Sequence, residues 1–87
     1  MAHWVQNGPK RWELLVPTER GGHRIVGKVV WCKDVDGGTG WTAYGLGAPI
    51  PVASYPAITY QPLEKAGDFR SLRDAMRHVM VLYKLEQ

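Results

Sequence analysis

Three histidines and one cysteine are the side chains here most able to do acid–base, nucleophilic or metal chemistry. Their spacing brings none of them into a working group. His3, His23 and His78 fall in the N-terminal stretch, a turn and the C-terminal helical region, and no Ser, Cys or carboxylate is placed in sequence to complete a triad with any of them. Cys32 and His23 lack the spacing of zinc ligands and have no second pair, so Cys32 reads as a small buried hydrophobe. Asp34-x-Asp36-x-Gly38 has the opening of a calcium loop, but a third oxygen ligand is missing and the twelfth position is Gly45, where a bidentate Glu is needed. Gly37-Gly38-Thr39-Gly40 could cradle a phosphate only at the start of a helix, and a strand follows it instead, so it reads as a hairpin turn. The expectation is a protein that is not an enzyme, with no cofactor and no metal.

Nucleic acid is the first alternative. Arg11, Arg24, Lys28 and Lys33, with Trp31 or Trp41 beside them, are the residue types that contact phosphates and stack on bases. Charge is unevenly spread: residues 1–33 carry six basic and two acidic groups, residues 34–69 one and four, and residues 70–87 four and two, for a net +3. Such a layout suits a polyanion, yet +3 is also ordinary for a soluble domain, and solvated strands carry Lys and Arg in any case.

The stretch from Gly47 to Gly67 does not follow the pattern of its neighbours. It holds Pro49, Pro51, Pro56 and Pro62, which remove backbone donors and fix φ. Loops of this length are uncommon in compact domains unless they are functional or disordered. Ile50, Val52, Tyr55, Ile58, Tyr60 and Leu63 make it too apolar for a solvated linker, so it is expected to lie packed on a sheet. Tyr55, Ile58 and Tyr60 in this loop, with the cations Arg70, Arg73 and Arg77 after it, are the candidate partner-binding residues.

The elements that must hold these residues are legible from periodicity. Trp12, Leu14 and Val16 alternate with Arg11 and Glu13, predicting a strand over about 11–16. Residues 24–33 read as a central strand apolar on both faces, in which Gly27 marks a bulge, a bend or a close approach to the backbone. A third strand covers about 41–46. Ser71 as N-cap, Asp74 three residues later, and Leu72, Ala75, Met76, Val79, Leu82 and Tyr83 on one face predict a helix over about 72–85. Residues 1–10, broken at Asn7-Gly8-Pro9, read as a flexible N-terminal arm. The fold class is therefore α+β: a three-stranded antiparallel sheet packed by one C-terminal helix, with Ala57–Tyr60 available as a fourth, edge strand, in a single β-β-β-α domain over 11–87 with a proline-rich loop at 47–67.

Length and composition bound the rest. Eighty-seven residues with 45% hydrophobic and 22% charged side chains make one foldable core. A single cysteine allows no internal disulfide, and the N-terminus has no basic start followed by an apolar run. Both favour a reducing, cytoplasmic setting. No stretch approaches a membrane span, and the expected state is a monomer or small homo-oligomer.

Trp12, Gly27-x-Val29, Trp41-x-Ala43 and Gly67-x-Phe69-x-Ser71-Leu72-x-x-Ala75-x-x-x-Val79 together form a strand-strand-strand-helix pattern. This pattern resembles small proteins encoded by phages and prophages, and more loosely the arm-binding domains of phage integrases and plant ethylene-response-type DNA-binding domains. It spans 11–46 and 67–80 on about ten positions; the arginine-rich strand motifs of the DNA-binding relatives are not reproduced, and the proline-rich loop interrupts the pattern. The resemblance implies a phage-encoded protein that docks on a host protein or ribonucleoprotein complex and inhibits or redirects it, as anti-CRISPR proteins do.

Overall fold

Backbone pairing extends the sheet beyond the segments whose side chains alternate. The computed structural model describes residues 1–35 and 38–85. In chain order its elements are β1 (His3–Gln6), β2 (Arg11–Pro17), β3 (His23–Val35), β4 (Gly38–Leu46), β5 (Ile50–Ser54), β6 (Ala57–Tyr60), β7 (Leu63–Phe69) and α1 (Leu72–Leu85). Five of the strands form one antiparallel sheet in the order β1-β2-β3-β4-β7, while β5 and β6 form a separate two-stranded sheet.

The expected α+β class holds, with one C-terminal helix on an antiparallel sheet, but the main sheet has five strands where three or four were expected. Both additions hide for a physical reason. β1 lies in the stretch expected to be a flexible arm: only Trp4 turns inward, opposite Leu14, and the strand is held by its ladder to β2. The Asn7-Gly8-Pro9 breaker is the connection between them, with the Asn7 amide donating to the Arg11 carbonyl at 2.9 Å and Gly8 at φ 97°. β7 lies on the other edge with no fully buried residue, and exposed Glu64, Lys65 and Asp68 blur its alternation. Of the expected turn at 34–40, Asp36 and Gly37 lie outside the described residues; β3 and β4 pair on either side of them.

The helix occupies one face of the sheet. Leu14, Val26, Val29, Ala43, Ala75 and Val79 are buried together, and Trp4, Val16, Trp41, Leu46, Phe69, Leu72, Met76, Met80 and Tyr83 pack around them. Gly27 and Gly45 are cross-strand partners, so they leave a bare channel in the sheet. Val79 lies over Gly27, and Leu82 Cδ1 lies 3.1 Å from where a Cβ on Gly45 would stand. A helix with small Ala75 on the same face can then approach the sheet closely. The β2–β3 register shifts between Leu14 and Leu15, which leaves Val26 as the extra residue of a bulge, buried in the core. Two of the three readings of Gly27 are thus met, a bulge beside it and a side chain against its backbone. The helix begins where its cap predicts, with the Asp74 amide donating to Ser71 Oγ at 3.2 Å. No helix among the described residues is long and apolar enough to cross a membrane.

Candidate functional site

The segment expected to lie on the sheet projects from it. β5 and β6 pair with each other and make no close contact with any other strand or with α1, and every residue from Ile50 to Tyr60 is exposed. The molecule is elongated, 48 × 24 × 22 Å. Two causes combine. Proline at 51 withholds a donor from β5, and the bulge between Pro51 and Ala53 disturbs the ladder, so this strand is poorly suited to a place inside the main sheet. The Ala57–Tyr60 strand forms where it was expected, but it pairs with β5 and not with the edge of the main sheet.

The chemistry of this arm is unusual for a solvated surface. Gly47 to Leu63 contains no charged residue. Tyr55 at the tip is 98% exposed, Val52 60% and Tyr60 58%. Ile50, Tyr60, Ile58 and Ala53 follow one another in register, Ile50 opposite Tyr60 and Ala53 opposite Ile58. The two tyrosines alone leave on the order of 300 Å² of largely apolar surface in water. Isolated exposed apolar residues are normal, whereas here they share one hairpin with no charged side chain between them.

The root of the arm is fixed to the body by polar contacts. The Gly47 amide donates to the Pro62 carbonyl at 2.8 Å, and the Gln61 side chain donates to the Gly47 carbonyl at 2.9 Å. Gln61 Oε1 in turn accepts from the Arg24 guanidinium at 3.0 Å. Between arm and body lies an open cleft of about 510 Å³, lined by Arg24 and Ile25 of β3 and by Pro49, Thr59, Tyr60, Gln61 and Leu63. Arg24 is the one charged residue in this lining. Of the candidates named from the sequence, Tyr55, Ile58 and Tyr60 lie together on the arm, and Gln61 and Ile25, which line its root, were not named. The charge-free run from Gly47 to Leu63 was the available signal.

The helix cations do not join the arm. Arg73 and Arg77 are exposed and lie in the N-terminal half of the helix, whereas Leu82, near its C-terminus, meets Gly45, two residues before the arm's root at Gly47. Arg73 precedes Leu82 by nine residues, roughly 13 Å along the axis. Arg70 is exposed, stands just before the helix and is engaged with the rest of the chain.

The strand cations of the nucleic-acid alternative are scattered. Arg11 and Lys28 lie on the face opposite the helix. There the Arg11 guanidinium pairs with Glu13 at 3.1 Å, and the Lys28 ammonium sits 4.6 Å from the Tyr44 ring centre. Arg24 is turned to Gln61 at the other end of β3 from Lys33, which is exposed. Neither tryptophan offers an open stacking surface: Trp41 packs against the core, and the Lys10 ammonium covers Trp31 at 4.4 Å from its centre.

The open face of the sheet is a polar network. Glu13 is buried to 8% exposure and accepts from Asn7 at 3.1 Å as well as from Arg11. The Thr42 hydroxyl donates to Asp68 at 2.7 Å, and Lys65 pairs with the same carboxylate at 3.1 Å. Together, the Thr42 bond first and Lys65 second, these hold Asp68 below the usual carboxylate range. Cys32 Sγ lies 3.1 Å from Thr42 Oγ1; that hydroxyl has one proton, and the shorter contact to a carboxylate takes it, so the thiol is the donor in the second bond. The histidines stand apart from Cys32, His3 and His23 edge to face at 5.6 Å and His78 tilted on Phe69 at 5.1 Å. Among the described residues no group of three or more His, Cys, Asp or Glu is placed to hold a metal ion.

Comparison with protein-family models, with curated proteins and with solved structures gives no match to this chain.

Proposed function

We propose that this is a non-enzymatic binding protein whose docking element is the β5–β6 arm. The observation that carries this reading is an exposed, charge-free hairpin, Ile50 to Tyr60, presented clear of a well-packed body. An apolar surface with no charge gains nothing from a polyanion, whose binding is dominated by cation–phosphate contacts. A protein surface, in contrast, rewards buried tyrosines and aliphatic side chains. The partner class is therefore protein. A host protein or ribonucleoprotein complex in a reducing, cytoplasmic setting, the target implied by the resemblance to small phage proteins, would offer such a surface. Blocking it is a mode of inhibition that needs no catalytic group.

The test is site-specific photocrosslinking in cells and in lysate, with a benzophenone amino acid at position 55 and, as control, at position 73. Protein adducts should form from position 55, persist in high salt and be absent from position 73. No protein adduct at position 55, or nucleic-acid adducts that vanish steeply as salt rises, would remove the reading.

A further inference from the structure

Resting on the reading of the arm as a docking element, we infer that its partner is a second copy of this chain, the two arms lying antiparallel so that each Tyr55 enters the cleft at the root of the other arm. Three observations lead there. The first is charge. The chain carries a net +3, so two copies repel each other overall, but Gly47 to Leu63 is neutral throughout and meets its own copy with no like-charge contact.

The second is geometry. An antiparallel pairing of identical segments has a twofold axis, and every contact is made twice. With the axis beside Ile58, Ala57 of one copy pairs with Thr59 of the other, and the Tyr55–Pro56 turn that ends each arm lies just past Tyr60 of its partner. Thr59, Tyr60 and the following Gln61 are walls of the cleft. The tip of one arm therefore lies beside the root of the other. The cleft, at about 510 Å³, is large enough for a tyrosine side chain. Its apolar walls, Ile25, Pro49 and Leu63, receive the ring, and Arg24 and Gln61 offer partners to the hydroxyl.

The third is the edge. β5 carries Pro51 and a bulge, features that blunt a strand edge, whereas β6 is free of proline from Ala57 to Tyr60. An exposed strand edge with unpaired amides and carbonyls is a template for another chain. Pairing β6 to β6 joins the two arms into one four-stranded ribbon and covers Ile58 and Tyr60 of both copies. Such a dimer is reversible, and its population depends on concentration.

Sedimentation equilibrium of the full chain should show a monomer–dimer equilibrium as concentration rises. Tyr55→Ala removes two anchors from the dimer and should weaken it about a thousandfold, about thirtyfold for each truncated aromatic, and Ile58→Asp should abolish it. Both variants should keep the wild-type circular dichroism, since neither residue touches the core. In a Cys32→Ser background, mixing a Tyr55→Cys chain with an Ile25→Cys chain should give a disulfide-linked heterodimer under mild oxidation.

A strictly monomeric protein, a dimer indifferent to both arm substitutions, or no cross-disulfide would each overturn the inference. If the chain is monomeric yet the position-55 probe still captures a different protein, the docking reading stands and the self-pairing alone is lost. If that probe captures nothing, both are lost.

Discussion

Val79 of the helix rests directly on the backbone of Gly27, so that a methyl group added at position 27 would overlap Val79 Cγ1. Val79 is 1% exposed, and the Tyr44 carbonyl oxygen lies 3.3 Å from the same point, so neither side of the contact can give way freely. Gly27→Ala should therefore cost about 1–3 kcal/mol by overpacking. Val79→Ala alone should cost about 2 kcal/mol by leaving a cavity. The double variant should lose clearly less than the sum, because the smaller side chain makes room for the new methyl. Urea unfolding of the four proteins checks this, and strict additivity would show that the helix does not seat here.

Excising the arm should leave the body intact. Leu46 and Leu63 are already cross-strand partners, and the Gly47 amide already bonds to the Pro62 carbonyl, so replacing residues 48–61 with Asn-Gly closes β4 and β7 into a short hairpin. We expect cooperative unfolding with stability within about 1 kcal/mol of the parent, and loss of all arm-dependent binding. Collapse of the fold would mean that the arm is structural.

Ser71→Ala should weaken the helix start. The Asp74 amide donates to Ser71 Oγ at this terminus, and an N-cap hydroxyl of this kind contributes about 1 kcal/mol. Chemical denaturation should show that loss, and Ser71→Asp should restore most of it.

Acid stability should depend on Thr42. Asp68 is held below its usual range by the Thr42 hydroxyl and then by Lys65, so its ionised form is favoured in the folded protein. The stabilisation is fully present above the unfolded carboxylate pKa and fades as pH falls through the lower, folded value. In Thr42→Val, a carboxyl-detected NMR titration should place Asp68 nearer its ordinary pKa, and the folded protein should lose the part of its pH dependence that arises in this acid window. An unchanged Asp68 titration would assign the shift to Lys65 alone.

How much of this was legible in the sequence differs by element. The helix was read with its bounds and its cap because 3.6-residue periodicity, Ser71 and Asp74 all point the same way within fourteen residues. β2, β3 and β4 were read from two-residue alternation, and Gly27 as a place of bulge and close approach. β1 and β7 were not read, because an edge strand is specified more by its neighbour's unpaired backbone than by its own side chains. Of the six candidate partner-binding residues, Tyr55, Ile58 and Tyr60 share the arm, whereas Arg70 precedes the helix and Arg73 and Arg77 lie in its N-terminal half. That separation depends on the crossing of α1 over the sheet, which no local pattern encodes.

Local patterning by itself determined the α+β class, the capped helix and the strangeness of the proline-rich stretch, since these follow from residue order over a few turns or strands. Only the tertiary structure decided which way that stretch lies. An apolar segment can cover its own sheet or stand away from it, and the choice rests on whether the core is already filled. Here the helix, seated on Gly27 and Gly45, fills the covered face, and Glu13, Thr42 and Asp68 make the other face polar. What stays apolar on the body is scattered, as at Val5, Ile25 and Val81, and the arm stands out into solvent, paired within itself along one edge of each strand and with its side chains open.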